Sequence, residues 1–464
     1  MPALIPDQLL TALAAFPSAR RYWVAYSGGM DSQVLLHALA AARAGLPGEL
    51  RAAHVDHGLH PDAPRWAEHC RETCGRLGVP LTLCRVDAAP ASGESPEAAA
   101  RAARYSALSA LLAPGDLLLT AQHQDDQAET LLLALLRGSG VKGLAAMPAV
   151  APLGAGHLVR PLLGYSRGDL AEYAAGVGLA WIDDPANADL GYDRNLIRHR
   201  VLPLLAGRWP ATATTIARSA GHCAEAQRLI DALAGETLAR VAGSRPGTLS
   251  VDGLLGLDAA QCRAALRHWI AGRGYRPPAA AVLERVLSEV LPARADADPL
   301  VRWSGCEVRR YRDDLYALAP LPAPPEPAPI HWRRGSLDLP NGLGRLTWVD
   351  AEGRAIDPET PHPGGVAVAF GLPGLTCRPP GVAHHRRLKQ IFQEAGVPAW
   401  LRPYVPLILA AGRLVAVGGI CQCDTTREAV PRWTGQPWDD DWLSHLGPGH
   451  VGEPLPRCNA ANED

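Results

Sequence analysis

Between positions 21 and about 185, short apolar runs alternate with longer stretches in which apolar residues recur every three or four positions. The runs at 22–26, 50–55, 81–86, 116–121 and 158–160 predict strands, and the stretches at 62–77, 95–112, 125–137 and 166–176 predict helices. Strands separated by crossover helices imply an α/β domain, with a mostly parallel sheet covered on both faces. Such sheets bind ligands beyond the carboxyl ends of their strands, so the polar residues that follow each apolar run are the ones to examine.

From 194 to about 241 the pattern is helical, with a break at Trp209-Pro210, and a second helical region runs to about 290. Residues 306–311 and 315–318, around Arg312-Asp313-Asp314, predict a hairpin. The segment from Pro320 to Pro329 is dense in proline and predicts a stiff, extended linker. Beyond it, 346–349, 366–370, 406–410 and 413–420 read as strands. A helix over 386–395 stops at Gly396-Val397-Pro398, a glycine cap followed by proline. The expected division is an α/β domain at 1–215, a mainly helical middle domain at 216–319, a linker at 320–330, a small α+β domain at 331–440 and a flexible tail at 441–464.

Composition narrows the class. A chain of 464 residues, 47% hydrophobic and 20% charged, is ordinary for a soluble protein with several cores. Its ten cysteines are scattered, which argues against a disulfide scaffold and for a reducing cytoplasm. Cys70 with Cys74, and Cys421 with Cys423, lack Cys-x-x-Cys spacing and read as core or surface thiols. The first twenty positions have no basic leader and carry Asp7, unlike a signal peptide. No stretch approaches the roughly 18 apolar residues of a membrane span. A net charge of -2 gives no global sign of nucleic-acid binding, which rests on local patches.

The chemistry concentrates at predicted strand ends. Ser27-Gly28-Gly29-Met30-Asp31-Ser32 sits between the first strand and a helix, where glycines permit close approach of an anion and the helix offers unpaired N–H groups. No lysine is near, so this is not the common Gly-Lys-Ser/Thr nucleotide loop. Ser27 and Ser32 offer hydroxyls, and Asp31 is a candidate magnesium ligand. His54-Val55-Asp56-His57-Gly58-Leu59 ends the second strand, with His54 and Asp56 on one face as a candidate wall for a nucleoside. Gln122 to Thr130 follows the fourth strand. Its Asp126 and Glu129 share one side of the first helical turn and could bind a metal or an incoming amine. Helix capping by Asp125 with a solvated acidic face is the simpler alternative. Arg104 could neutralise a departing pyrophosphate or form a surface ion pair. Arg194 and Arg198, four apart, share a helix face and could grip phosphate.

Taken in order, Ser-Gly-Gly-x-Asp-Ser, His-Val-Asp-His-Gly-Leu, His-x-Asp-Asp-Gln-x-Glu-Thr, Arg-Gly-Ser-Gly at 137–140 and Arg-Asn-x-Ile-Arg resemble the tRNA(Ile)-lysidine synthases, a family of PP-loop ATP pyrophosphatases. Arg387-Leu388-Lys389, Gly396 to Arg402 and Pro406-Leu407 resemble the C-terminal domain of its longer, three-part form, extending the likeness to about Trp433. Gln122 and Ala186 depart from the family pattern, which often has a histidine and a serine there.

The resemblance implies adenylation of the wobble cytidine of a CAU-anticodon tRNA(Ile) with ATP, followed by attack of free L-lysine and release of AMP. Ser27 to Ser32, His54 and Asp56 would bind ATP with magnesium on Asp31, and Asp31, Asp126, Glu129 and Arg104 would be catalytic. Arg194, Arg198, Arg386, Arg387, Lys389 and Arg402 would hold tRNA, and a homodimer is compatible. The competing readings are a tRNA thiolase on the same loop, an amidating ligase such as an NAD synthetase, and a non-catalytic ATP-sensing RNA-binding protein. A thiolase calls for reactive cysteines, and none lies beside a named motif in sequence. A small-molecule ligase has no use for a basic C-terminal module, and a binding relic none for paired acids.

Overall fold

The structure, a computed structural model, describes residues 6–16, 18–58, 61–87, 96–294, 297–379, 384–423 and 429–435. Leu59, Ser95 and the tail at 441–464 lie outside the described residues. The chain divides into two compact units at 229/230, a boundary inside one long helix.

The first unit runs α1 (Pro6–Leu13), β1 (Arg21–Ala25), α2 (Met30–Ala41), β2 (Glu49–Asp56), α3 (Ala63–Leu77), β3 (Leu81–Arg85), α4 (Pro96–Ala110) and β4 (Leu117–Leu119). It continues through α5 (Gln124–Leu136), α6 (Val141–Leu144), β5 (Val150–Leu153), β6 (Gly156–Val159), α7 (Arg167–Gly176), α8 (Asp193–Leu196), a π-helical turn at Ile197–Val201, and α9 (Leu202–Arg208). Its sheet has the order β3-β2-β1-β4-β6-β5. All neighbours are parallel except the edge strand β5, which returns antiparallel on β6.

Burial explains the order. Leu117, Leu118 and Leu119 of β4 and Tyr22, Trp23 and Val24 of β1 are all buried, as strands covered on both faces must be. Each buried leucine contributes roughly 1.5–3 kcal/mol. The edge strand β3 has no buried residue, in keeping with its position. At the opposite end of the sheet from the glycine loop, Arg21 pairs with buried Asp116 at 2.9 Å and ties the starts of β1 and β4 together.

The order also fixes where a ligand can sit. From β1 the chain crosses to β2 on one side, while β4 lies on the other side and the succession continues outward to β6. Two adjacent parallel strands whose connections diverge leave a crevice at their carboxyl ends. The glycine loop and the acidic segment at 122–130 flank that crevice.

The long helix α10 (Thr212–Arg240) leads into the second unit. The middle part has a core of Leu266, Trp269, Ile270, Val286, Val290, Val308 and Leu315. Its sheet contains the hairpin Cys306–Tyr311 with Asp314–Leu318. The C-terminal part carries a five-stranded sheet with Val366–Ala369, Leu407–Ala410 and Arg413–Val417 at its centre. Its helix Leu388–Glu394 ends at Gly396, in the left-handed region at φ +66°. The proline segment holds no helix or strand before Ile330. The two parts nonetheless pack together within one unit. Trp400 meets Tyr311 and Tyr316 edge-on, with ring centroids 6.1 and 5.5 Å apart, and Arg245 donates to the Gly396 carbonyl at 3.0 Å.

Candidate active site

The loop after β1 is held open by its own backbone. Gly28 has φ +87°, and a Cβ there would stand 2.8 Å from Ile182 Cδ1 and 3.2 Å from Cys70 Sγ. Ser32 Oγ lies 3.0 Å from Ser27 Oγ and donates to the Gly29 carbonyl at 3.0 Å, so the two hydroxyls brace the turn. Met30, Asp31 and Ser32 form the first turn of α2, directing the positive helix end toward the loop. Ile182 closes the loop from outside, its N–H donating to the Gly28 carbonyl at 2.9 Å.

Across the crevice, β4 delivers His123 and the start of α5. His123 is fully buried, with Asp31 at 3.6 Å, Asp125 at 3.6 Å and Asp126 at 3.4 Å. Burial disfavours the imidazolium, but Asp125, Asp31 and Asp126 outweigh it and push the imidazole up to about 10. In its protonated form the imidazole would link the glycine loop to the acids of α5. Asp126 also caps α5, accepting from the His123 N–H at 3.1 Å, and Asp125 accepts from the Arg167 N–H at 2.8 Å. The cap is thus made by Asp126 and not by Asp125, and the expected solvated acidic face is a buried one, because Asp126 and Glu129 turn toward the crevice.

Asp126 and Glu129 converge as their spacing predicts, and Arg194 and Arg198 reach the same two carboxylates. Arg194 donates to Glu129 at 2.7 Å and to Asp126 at 2.8 Å; Arg198 donates to Glu129 at 2.6 Å and to Asp126 at 2.8 Å. Glu129 is completely buried. Burial opposes charge on Asp126, yet His123, Arg194 and Arg198 together hold its carboxyl below the usual carboxylate range. The π-helical turn begins between the two arginines, at Ile197, a departure frequent at functional sites. Asn195, between them, donates to the carbonyls of Ala186 and Asp189 at 2.9 Å each and pins the 185–189 loop.

The remaining first-unit candidates line the β2 end. His54 is buried, its Nδ1 2.9 Å from the Tyr26 carbonyl, and Asp56 accepts from the Gly58 N–H at 2.8 Å. Arg104 donates to His57 Nε2 at 3.2 Å, which requires that nitrogen to accept. Burial and Arg104 lower the His57 pKa accordingly.

Folding corrects the reading of the cysteines: Cys423, expected as a core or surface thiol, is joined to Cys377 as a disulfide. A cysteine does stand beside the motifs: Cys70, carried in by α3, has its sulfur 3.4 Å from His54 Nδ1. It packs under Gly28, and burial pushes its thiol up to about 12, so it is a protonated filler and no nucleophile. His123, His57, Asn195 and Ile182 were absent from the candidates. His123 had a signal, a strand-end position directly before paired acids; Ile182 had none, because its role is a contact across 154 positions of sequence, from 28 to 182.

In the second unit, Arg387, Lys389 and Arg402 line one groove of about 620 Å³, together with Leu388, Phe392 and Thr376. Arg386 instead pairs with Glu394. The groove thus combines three cations with an apolar floor. No helix among the described residues is long and apolar enough to cross a membrane.

The chain matches the PP-loop domain family over residues 5–205, the TilS substrate binding domain over 249–316 and the TilS substrate C-terminal domain over 366–436. It is 46% identical over 399 residues to the tRNA(Ile)-lysidine synthase of Methylococcus capsulatus, covering 86% of this chain and 91% of the relative. The enzymes of the same name from Alkalilimnicola ehrlichii (44%, covering 90% and 94%) and Coxiella burnetii (41%, covering 92% and 95%) are similarly related. Identity at this level across most of both chains, with the PP-loop and both TilS domains in sequence, makes this chain a member of the tRNA(Ile)-lysidine synthase family.

Proposed function

We propose that the chain ligates free L-lysine to the wobble cytidine of tRNA(Ile) bearing a CAU anticodon, using ATP and forming lysidine. The reading rests chiefly on the switch-point crevice, where an anion-binding loop faces a pair of buried acids. The modified base pairs with adenosine, so the tRNA changes from reading AUG as methionine to reading AUA as isoleucine.

The first step needs the cytidine oxygen to attack the α-phosphorus while pyrophosphate leaves. Backbone N–H groups of the loop and the end of α2 would hold the phosphates, and donors placed where negative charge grows lower that barrier. Asp31 fits a magnesium ion, because its Oδ1 is buried without a hydrogen-bond partner and a hard carboxylate oxygen is the donor such an ion takes. Magnesium bound there would offset the charge gathering on the leaving pyrophosphate.

In the second step the lysine side-chain amine attacks the activated carbon and AMP departs. That amine is protonated at neutral pH. Asp126, held ionised by its cationic neighbours, would anchor the ammonium, and Glu129 beside it would accept the proton that must leave before the nitrogen can attack. The arginine pair occupies both acids before lysine enters, so an incoming ammonium would take over one of the contacts made by Arg194 or Arg198. An arginine so released gains freedom to meet phosphate, which keeps both residues as tRNA-binding candidates.

The groove formed by Arg387, Lys389 and Arg402 would take the tRNA backbone, with Arg386 at its edge. The test is incubation with ATP, labelled lysine and the CAU-anticodon tRNA. Label should enter the tRNA with one AMP released per lysine. ATP binding without incorporation would sink the reading. Protonated, buried Cys70 weighs against the thiolase reading, since sulfur transfer requires a reactive thiol or cluster ligands.

A further inference from the structure

Three cysteines outside the site just described converge in the C-terminal part. Cys377 ends the strand Thr376–Cys377, which pairs with Arg386–Arg387. Cys421 begins the strand Cys421–Gln422, which pairs with Arg413–Val417, and Cys423 follows it. Their spacing of two puts Cys421 and Cys423 on one face of the extended chain, with Gln422 on the other. The Gln422 amide is engaged away from the sulfurs, donating to the Ala429 carbonyl at 2.6 Å.

All three sulfurs lie within 4.8 Å of one another. Cys377 and Cys423 are joined as a disulfide, and Cys421 Sγ stands 3.9 Å from Cys377 Sγ. A disulfide employs two sulfurs and leaves the third idle. A tetrahedral zinc ion with Zn–S bonds of about 2.3 Å spaces its sulfurs about 3.8 Å apart, close to the separation of Cys377 and Cys421. We propose that the reduced chain binds one zinc ion through the thiolates of Cys377, Cys421 and Cys423.

The disulfide and the metal exclude each other, because both need Cys377 and Cys423. A small thiol reductant opens the site: two reductant thiols join as a disulfide, and Cys377–Cys423 gains the two electrons and two protons to become two thiols. Zinc then replaces the protons of the three cysteine thiols, releasing three protons and forming three Zn–S bonds. Three soft donors select zinc over magnesium or calcium. The metal would staple the strand Cys421–Gln422 to Thr376–Cys377, whose partner strand carries Arg387, fixing one wall of the cationic groove.

Cobalt reports such a site directly. Full-length protein, reduced with a phosphine and stripped with a chelator, should develop a thiolate-to-cobalt charge-transfer band that saturates at one equivalent and is displaced by zinc. The Cys421→Ser variant should lose the band, and Cys84→Ser, in the other unit, should keep it. A reduced wild-type chain that gives no band, or a Cys421→Ser band of undiminished strength, overturns the proposal. Should Cys421→Ser fail to fold, native mass spectrometry of wild-type protein decides: one zinc on the reduced chain and none on the oxidised chain supports the site, and equal zinc on both refutes it.

Discussion

Gly28 carries two constraints at once, a left-handed φ and a close ceiling formed by Ile182 and Cys70. Gly28→Ala should therefore cost roughly 1–2 kcal/mol in backbone strain alone, read as a lowered urea midpoint, and should weaken ATP binding as the loop shifts. Asp31→Ala should abolish release of AMP and pyrophosphate while tRNA binding, followed by gel shift, stays intact; persistent AMP release would remove Asp31 from the chemistry. Arg198→Ala leaves Glu129 buried with one guanidinium instead of two. A loss of about 1–3 kcal/mol is expected for an under-satisfied buried carboxylate, together with a changed KM for lysine. Single residues of this kind were legible in the sequence when their role was local. The glycine turn, Asp31 and the i, i+3 acids could be read directly, whereas the partners of those acids could not, since Arg194 is 68 positions from Asp126.

At the level of elements, the strand-then-helix pattern located β1 to β4 and their helices within a few residues. It missed the hairpin of β5 on β6, because β5 is short, exposed or half exposed along its length and interrupted by Pro152, which demotes an apolar run as a strand signal. The π-helical turn was equally invisible, since it spans only Ile197–Val201 within an otherwise continuous helical pattern. The amino end of α5 yields a pH prediction. Folding raises the His123 pKa from an ordinary value near 6.5 to about 10, so its stabilisation is whole below about 6.5 and is lost as pH rises through about 10. Urea unfolding from pH 6 to 10 should show stability falling with pH, and His123→Gln should flatten that decline. A wild-type profile without the decline would show that the imidazole is not held as a cation.

Across the whole molecule, the proline-rich segment separates two parts that nevertheless belong to one compact unit. The contact boundary falls at 229/230, and the parts on either side of the prolines pack through Trp400 and the two tyrosines. Composition reveals where a chain is stiff, and gives no account of which aromatic faces meet afterwards. The cationic groove makes a prediction on this scale. Replacing Arg387 and Lys389 with alanine should weaken tRNA binding and reduce the slope of log affinity against log salt by about 2, with ATP binding unchanged. An unaltered slope would place the tRNA elsewhere. The neighbouring position of β1 and β4 has a further consequence for how the molecule comes into being. Tyr22 pairs with Leu117, 95 positions later, and pairings between such distant segments form late. During synthesis the glycine loop emerges early, yet its histidine partner and the acids arrive only after β4 has docked and its helix has followed. A nascent chain can thus hold the complete anion loop without the means to use it, and nucleotide capture becomes a readout of the finished sheet.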